Sequence, residues 1–184
     1  MERKPKCVIV TGRPGAGKTT LARRLGGRLW MPVVSRDEIK EGYVNTCGVR
    51  HDQLPPHTNA LVTDLFFGIV NRYLAGEISV VIEAAFQHEV WEARMPKLLE
   101  VSSPSIVVCT AAALAARRHL QRGLENPGRE FYHGDRRVAR YRETGEISPP
   151  ESYTAPNLNV HTIHVSTDGE YVPSLDEIVK QIKL

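Results

Sequence analysis

Apolar residues along the chain change their spacing in step, and each change predicts an element. Lys6–Thr11 is a short β-branched run that reads as a buried strand. A Gly/Pro-rich turn over Gly12–Gly17 follows, and Lys18–Leu29 then alternates apolar and basic residues at helical spacing. Pro32–Ser35 reads as a second strand and Asp37–Tyr43 as a short helix, while Gly48, Pro55 and Pro56 make Asn45–Pro56 a loop. Over Thr58–Ala75, apolar residues recur three and four apart, which predicts an amphipathic helix. Ile78–Ile82 and Ser105–Thr110 read as strands, and Glu89–Val101 as a helix that Pro96 kinks or breaks. Ala111–Gln121 reads as a helix ending near Gly123, Leu124–Gly134 as a loop and Arg136–Glu143 as a helix again. Val160–Ser166 alternates as a strand with one less buried face does, and Pro173–Leu184 closes as a helix with a capping box between Ser174 and Glu177. Five strands alternating with helices predict one α/β domain, a parallel sheet covered on both faces. Ligands of such sheets lie beyond the carboxyl ends of the strands, which collects Gly12–Thr19, Ser35–Asp37, Glu83 and Thr110 at one edge.

Composition narrows this reading. At 184 residues, 41% hydrophobic and 24% charged, the chain suits one domain with its own core. The expectation is of a cytoplasmic protein without a membrane partner. No apolar run spans a bilayer, and Cys7–Val10 is too short for a signal-peptide core. Cys7, Cys47 and Cys109 make no metal or redox spacing, and Cys7 and Cys109 fall in strands, where a thiol acts as a small hydrophobe. The net charge of +3 is concentrated: residues 117–142 carry eight arginines against Glu125, Glu130 and Asp135. A field gathered there draws in an anion, although a solvated Arg-rich helix face has the same composition.

The strongest chemical signal is Gly12-Arg13-Pro14-Gly15-Ala16-Gly17-Lys18-Thr19, which fits G-x-x-x-x-G-K-[ST], the Walker A pattern, between a strand and a helix. Glycines let such a loop curl with its amides inward on phosphate oxygens, and the dipole of the following helix adds to the attraction. Lys18 then reaches the β- and γ-phosphates of ATP, and the Thr19 hydroxyl ligates Mg²⁺. The binding residues expected are Gly12 through Thr20. Nucleotide switches, transporter ATPases and motors are disfavoured: the chain has no Asn-Lys-x-Asp signature, no Asp-x-x-Gly after the third strand and no Leu-Ser-Gly-Gly-Gln stretch, and it is short for a hexameric motor.

Ser35-Arg36-Asp37-Glu38-Ile39-Lys40, just past the second strand, and Arg118-His119-Leu120-Gln121-Arg122-Gly123 complete a pattern. With the glycine loop they make the chain resemble the small P-loop kinases of the polynucleotide kinase, zeta toxin and chloramphenicol phosphotransferase group, AAA-type ATP-binding kinase-like proteins. That resemblance implies a P-loop NTPase three-layer sandwich with a five-stranded parallel sheet ordered 2-3-1-4-5 and a small helical lid. It implies one kinase domain over 1–184, with a substrate-bordering segment 40–60 and a lid 123–142. Asp37 would take the acceptor's hydroxyl proton, Arg122 would clamp the phosphoryl in flight, and Arg118 would lie near ATP. Carboxylate chemistry supports Asp37 independently, although Asp also caps helices well. Arg118 and Arg122 share a helix face and repel each other unless an anion lies between them. Arg129, Arg136, Arg137 and Arg140 are further candidates to close over phosphates.

Two positions depart from the group. Glu83-Ala84-Ala85 stands where an Asp followed by Thr-Asn is usual, so Glu83 would hold Mg²⁺ through water or orient the acceptor. Lys40 stands where polynucleotide kinases carry an arginine, and it keeps the charge but not the planar fork. Tyr43 and Arg50, with Asn45, His51 and His57, border the acceptor on this reading, and His161 and His164 are structural. The turn Thr167–Gly169 is the place expected for the adenine. The expected function is transfer of the γ-phosphoryl group of ATP to a hydroxyl of a small molecule. Nucleic acid remains open as an acceptor through a polynucleotide 5′-hydroxyl kinase, and a regulatory ATPase is the third reading. Acceptor identity and oligomeric state are not legible.

Overall fold

The structure, a computed structural model, describes residues 4–111, 114–149 and 152–183. Five strands, β1 (Lys6–Thr11), β2 (Val33–Ser35), β3 (Val80–Glu83), β4 (Ser103–Thr110) and β5 (Thr162–Ser166), form one sheet in the order β2-β3-β1-β4-β5. Every pairing is parallel, as the alternation of strands and helices requires. The helices are α1 (Lys18–Leu29), α2 (Arg36–Cys47), α3 (Thr58–Ala75), α4 (His88–Val101), α5 (Ala115–Glu125), α6 (Arg129–His133), α7 (Arg137–Thr144) and α8 (Leu175–Lys183).

The period of two along β1 sends its side chains into separate cores. Val8 and Val10 join Leu21, Leu25, Val165 and Ile178 under α1 and α8. Cys7 and Ile9 join Phe66, Val70, Trp91 and Leu98 under α3 and α4. Burial pushes the thiols of Cys7 and Cys109 up to about 12, which suits the small-hydrophobe reading. β5 lies at an edge, with Ile163 and Val165 buried and His164 exposed, the alternation its sequence predicts. Ser174 and Glu177 form the predicted capping box.

β3, expected over Ile78–Ile82, runs from Val80 to Glu83, and β4, expected from Ser105, starts at Ser103; the differences among the helices are larger. The helix expected over Asp37–Tyr43 runs on to Cys47, where Gly48 ends it in the left-handed conformation, so Asn45–Cys47 are helical and not loop. Pro96 does not break α4; buried Trp91, Met95 and Leu98 hold both sides of it to the sheet. Gly123 lies inside α5, which runs on to Glu125, and a Cβ there would come 2.6 Å from Val138 Cγ2 on α7. The segment Leu124–Gly134, expected as loop, contains the last residues of α5 and all of α6. Of the helix expected over Ala111–Gln121, residues 112 and 113 lie outside the described residues.

Candidate active site

β1 ends at Thr11, and the chain must turn at once beneath the end of β4. Gly12 does so at φ 147°, where a Cβ would come 2.5 Å from the Cys109 carbonyl oxygen. Gly15, at φ 82°, would place a Cβ 2.1 Å from the Ala115 carbonyl oxygen. No L side chain fits either position, so these glycines are demanded by the close approach of neighbouring backbone. Thr167 Oγ1 donates to the Ala16 carbonyl at 2.9 Å and braces the loop from the β5 side. α1 then starts with no side-chain cap and no acidic residue in its first turn. A helix start of that kind, behind a glycine loop, offers unpaired amides and a positive dipole end to an anion.

Two cavities meet at this loop and share Gly15, Gly17, Thr19 and Arg122. The first, of about 580 Å³, also takes in Lys18, Asp37, Glu83, His119, Asp135 and the arginines at 129, 136, 137 and 140. The second, of about 660 Å³, runs past Thr20, Arg24 and Arg118 to Thr167, Gly169 and Tyr171. Arg118 donates to the Thr167 carbonyl at 2.7 Å, so it shapes the turn expected to receive the adenine.

Lys18 and Glu83 are both buried at the floor of the first cavity. Their charged atoms stand 4.0 Å apart, and Lys18 Nζ donates to the Arg13 carbonyl at 3.1 Å. Burial pulls Lys18 below its ordinary range and pushes Glu83 above its own, while each charge partly restores the other. Ser35 Oγ donates to Glu83 at 2.8 Å, and Thr19 nearby weakly favours the charged form of this carboxylate. Thr19 and Glu83 thus both offer an oxygen to the first cavity. A Mg²⁺ ion that takes most of its shell from phosphate and water needs no larger protein donor set.

Asp37 occupies the first turn of α2, with its side chain 56% exposed toward the cavity. Ser35 precedes the helix as its cap residue, so the alternative role of Asp37 as the cap does not apply. The negative charge of Asp37 acts on Lys18, Arg36, Lys40 and Arg122, which places it among the cations of the site. Burial and the charge of Arg129 pull Arg122 down.

The remaining expected acceptor residues do not line either cavity. Lys40 is a buried residue of α2 and lines neither cavity. Tyr43 is engaged with Cys47 one turn on, and Arg50 pairs with Asp52 and Glu130, both at 3.3 Å. The structure adds a pair that the sequence reading passed over. His119 Nε2 lies 2.9 Å from Asp135 Oδ2, and the Arg137 amide donates to the other Asp135 oxygen at 3.1 Å. Together these contacts hold Asp135 down at about 2, against the opposing effect of burial. The pair fastens the start of α7, and with it Arg137 and Arg140, to α5 beside Arg122. His119 lay within the quoted Arg118–Gly123 motif, but the approach of Asp135 is set by the fold.

Residues 7–146 match a family model described as an AAA domain. The fold is similar to that of a protein from Chloroflexus aurantiacus J-10-fl described as a candidate kinase, at 24% identity and a TM-score of 0.74, over 100% of this chain and 96% of that one. It is also similar to the APS kinase CysC of Mycobacterium tuberculosis, solved with AMPPNP and APS, at 15% identity and a TM-score of 0.67 over all of both chains. A gluconokinase from Sinorhizobium meliloti 1021 is similar at 15% identity and a TM-score of 0.54, over 98% of this chain and 91% of that one. At these identities the likeness concerns the fold, that of a P-loop NTPase three-layer sandwich. No curated protein matches the chain.

Proposed function

The chain belongs to the family of AAA domains, and from that premise we propose that it is an ATP-dependent kinase acting on a hydroxyl group. One observation carries the reading: the glycine loop, Lys18, Arg122 and Asp37 open onto one cavity at the carboxyl edge of the sheet.

The triphosphate tail would lie on the amides of Gly12–Thr19, with the base toward the turn after β5 in the second cavity. Lys18 would turn from the Arg13 carbonyl to the outer phosphates. Thr19, and Glu83 through water, would hold Mg²⁺, which when bound offsets phosphate charge. The acceptor hydroxyl enters beside Asp37 and gives it a proton as its oxygen bonds to the γ-phosphorus. The bond from that phosphorus to the bridging oxygen breaks, and ADP leaves with the electron pair. Arg122, drawn over the loop by α5, stabilises the charge spread over the phosphoryl oxygens. The likeness of the fold to those of kinases supports this reading, and the arginine-lined wall of the cavity suits a phosphoryl group in flight.

The test is a screen of hydroxyl acceptors by ADP release, with mass detection of the product, on the wild type and on Asp37→Asn. Transfer should fall about 100- to 10,000-fold in the variant, the usual worth of a positioned base. ATP affinity should stay within about twofold, since Asp37 touches the acceptor side. Equal turnover by both proteins on a genuine acceptor would remove Asp37 from this role. A slow ATPase indifferent to every acceptor and to Asp37→Asn would favour a regulatory module.

A further inference from the structure

After α7 the chain returns toward the sheet through Ser152–Leu158, a stretch with neither helix nor strand that the transfer of phosphate leaves unused. It is nevertheless fastened at several points to the start of α4. Gln87, the residue before α4, pairs with it as a strand would. Gln87 Nε2 donates to the Ser152 carbonyl at 3.0 Å, and Gln87 Oε1 accepts from the Thr154 amide at 2.7 Å. The His88 amide donates to the Thr154 carbonyl at 3.0 Å, and the Asn157 amide to His88 Nδ1 at 3.2 Å. Ala155 and Leu158 pack on the core under α3 and α4.

Gln87 thus grips the backbone on both sides of Tyr153, whose hydroxyl lies 2.9 Å from Thr11 Oγ1. Thr11 is fully buried and ends β1 immediately before Gly12. A threonine hydroxyl has one proton and two lone pairs. Thr11 donates its proton to the Ala84 carbonyl at 2.9 Å and accepts from the Trp91 indole N–H at 3.1 Å. The second lone pair therefore accepts from Tyr153, and the whole capacity of the hydroxyl is used. Burial raises the Tyr153 phenol, while its bond to Thr11 and the charge of Arg13 in the glycine loop act the other way. A polar network satisfied in this way is rigid. What it anchors lies just upstream. Pro149 lines the first cavity, and its carbonyl accepts from Arg137 Nη1 at 3.0 Å. Pro149 stands three residues before Ser152, a span of at most about 11 Å, so fixing Tyr153 confines Pro149 and the guanidinium bonded to it. Arg137 lines the same cavity as Lys18, Asp37 and Arg122.

We propose that Tyr153 is a positioning residue for phosphoryl transfer: hung from Thr11 beside the glycine loop, it holds the return segment so that Pro149 keeps the Arg137 guanidinium at the cavity wall. The word transfer rests on the kinase reading, but the anchor stands on its own contacts. Without the phenol oxygen the return segment is held by Gln87, His88 and its apolar contacts alone, and Arg137 spends less time at the wall. The fold tolerates that loss, since Tyr153→Phe removes one donor and leaves only a lone pair of Thr11 unfilled. Thr11→Val, by contrast, strands two donors, the Trp91 N–H and the Tyr153 O–H.

Two arms test this. The first needs no acceptor. In Tyr153→Phe the NMR signal of the buried Trp91 indole N–H should move while that of the exposed Trp30 stays. Amide exchange over Ser152–Leu158 should quicken about 3- to 10-fold, the worth of one hydrogen bond. In the second arm, ADP release with an acceptor found by the screen above is measured for Tyr153→Phe, Arg137→Ala and the double variant. Tyr153→Phe should lower kcat about 3- to 10-fold and leave KM for ATP within about twofold. It should add nothing in the Arg137→Ala background, because it acts through that arginine. Thr11→Ser, which keeps the hydroxyl, should turn over like the wild type. A residue that only stabilises the fold would lower the melting temperature and leave kcat per folded molecule unchanged, and that result would overturn the proposal. So would exchange over Ser152–Leu158 equal to that of the wild type, or a full further loss of kcat in the Arg137→Ala background. Should no acceptor be phosphorylated, the kinase reading falls and the first arm alone decides whether Tyr153 anchors the return segment.

Discussion

Lys18 and Glu83 face each other across 4.0 Å with little solvent between them, so each depends on the other for its charge. Removing the lysine leaves the carboxylate buried and deprives an incoming phosphate of its nearest cation. Lys18→Ala should therefore weaken Mg-ATP binding about 10- to 100-fold and stop turnover, as calorimetric titration and ADP release would show. An unchanged titration would count against the phosphate-cradle assignment. Asp135 gives a prediction in pH. Its folded value of about 2 lies below its ordinary 3.8, so the stability it contributes is fully present above about pH 4 and is lost as pH falls toward 2. Denaturant midpoints measured between pH 5 and pH 2.5 should fall less steeply for Asp135→Asn than for the wild type. Parallel curves would mean that the contact with His119 adds nothing in solution. At this scale the loop residues were legible because their spacing is itself the chemistry. The pairing of His119 with Asp135 was not, since it joins positions sixteen apart through the folding of α6 and α7.

Helices were legible where they bury a stripe and misjudged where they do not. α3 was expected with its observed bounds, since Val62, Phe66, Val70 and Leu74 are buried at helical spacing, although Leu65 and Ile69 are exposed. α6 has no buried residue at all, so it leaves no periodic trace, and Asn126, Pro127 and Gly128 before it suggested a loop. It is held by partners elsewhere: His133 on Glu41, Tyr132 on Asn45 and Glu130 on Arg50. α5 and α7 meet more closely, with Gly123 against Val138. Gly123→Val should force them apart at a cost of roughly 1–3 kcal/mol for overpacking. Amide exchange over Arg137–Thr144 should quicken while the sheet stays protected, and turnover should slow as Arg137 and Arg140 leave the cavity. Exchange identical to that of the wild type would show that α7 is positioned by something else.

For the whole molecule, parallel strands in the order β2-β3-β1-β4-β5 bring the glycine loop, the start of α2, the end of β3 and the turn after β5 to one edge. No helix among the described residues is long and apolar enough to cross a membrane. Arg122, Arg129, Arg136, Arg137 and Arg140 of the basic segment line one cavity at this edge, which suits the expected small-molecule acceptor over a polymer. Fluorescence titration with single-stranded oligonucleotides should then show little binding at about 0.15 M salt; tight binding that falls steeply with salt would favour the nucleic-acid reading. The amino-acid order by itself determined the alternation of elements, the layered parallel sheet and the phosphate loop, because these follow from local spacing and from glycines that no other residue replaces. Tertiary structure decided which cations surround Asp37, that Arg129–His133 is helical, and that Arg50 faces Glu130. These depend on contacts between helices far apart in the chain, and a pairwise contact leaves no period in a single sequence.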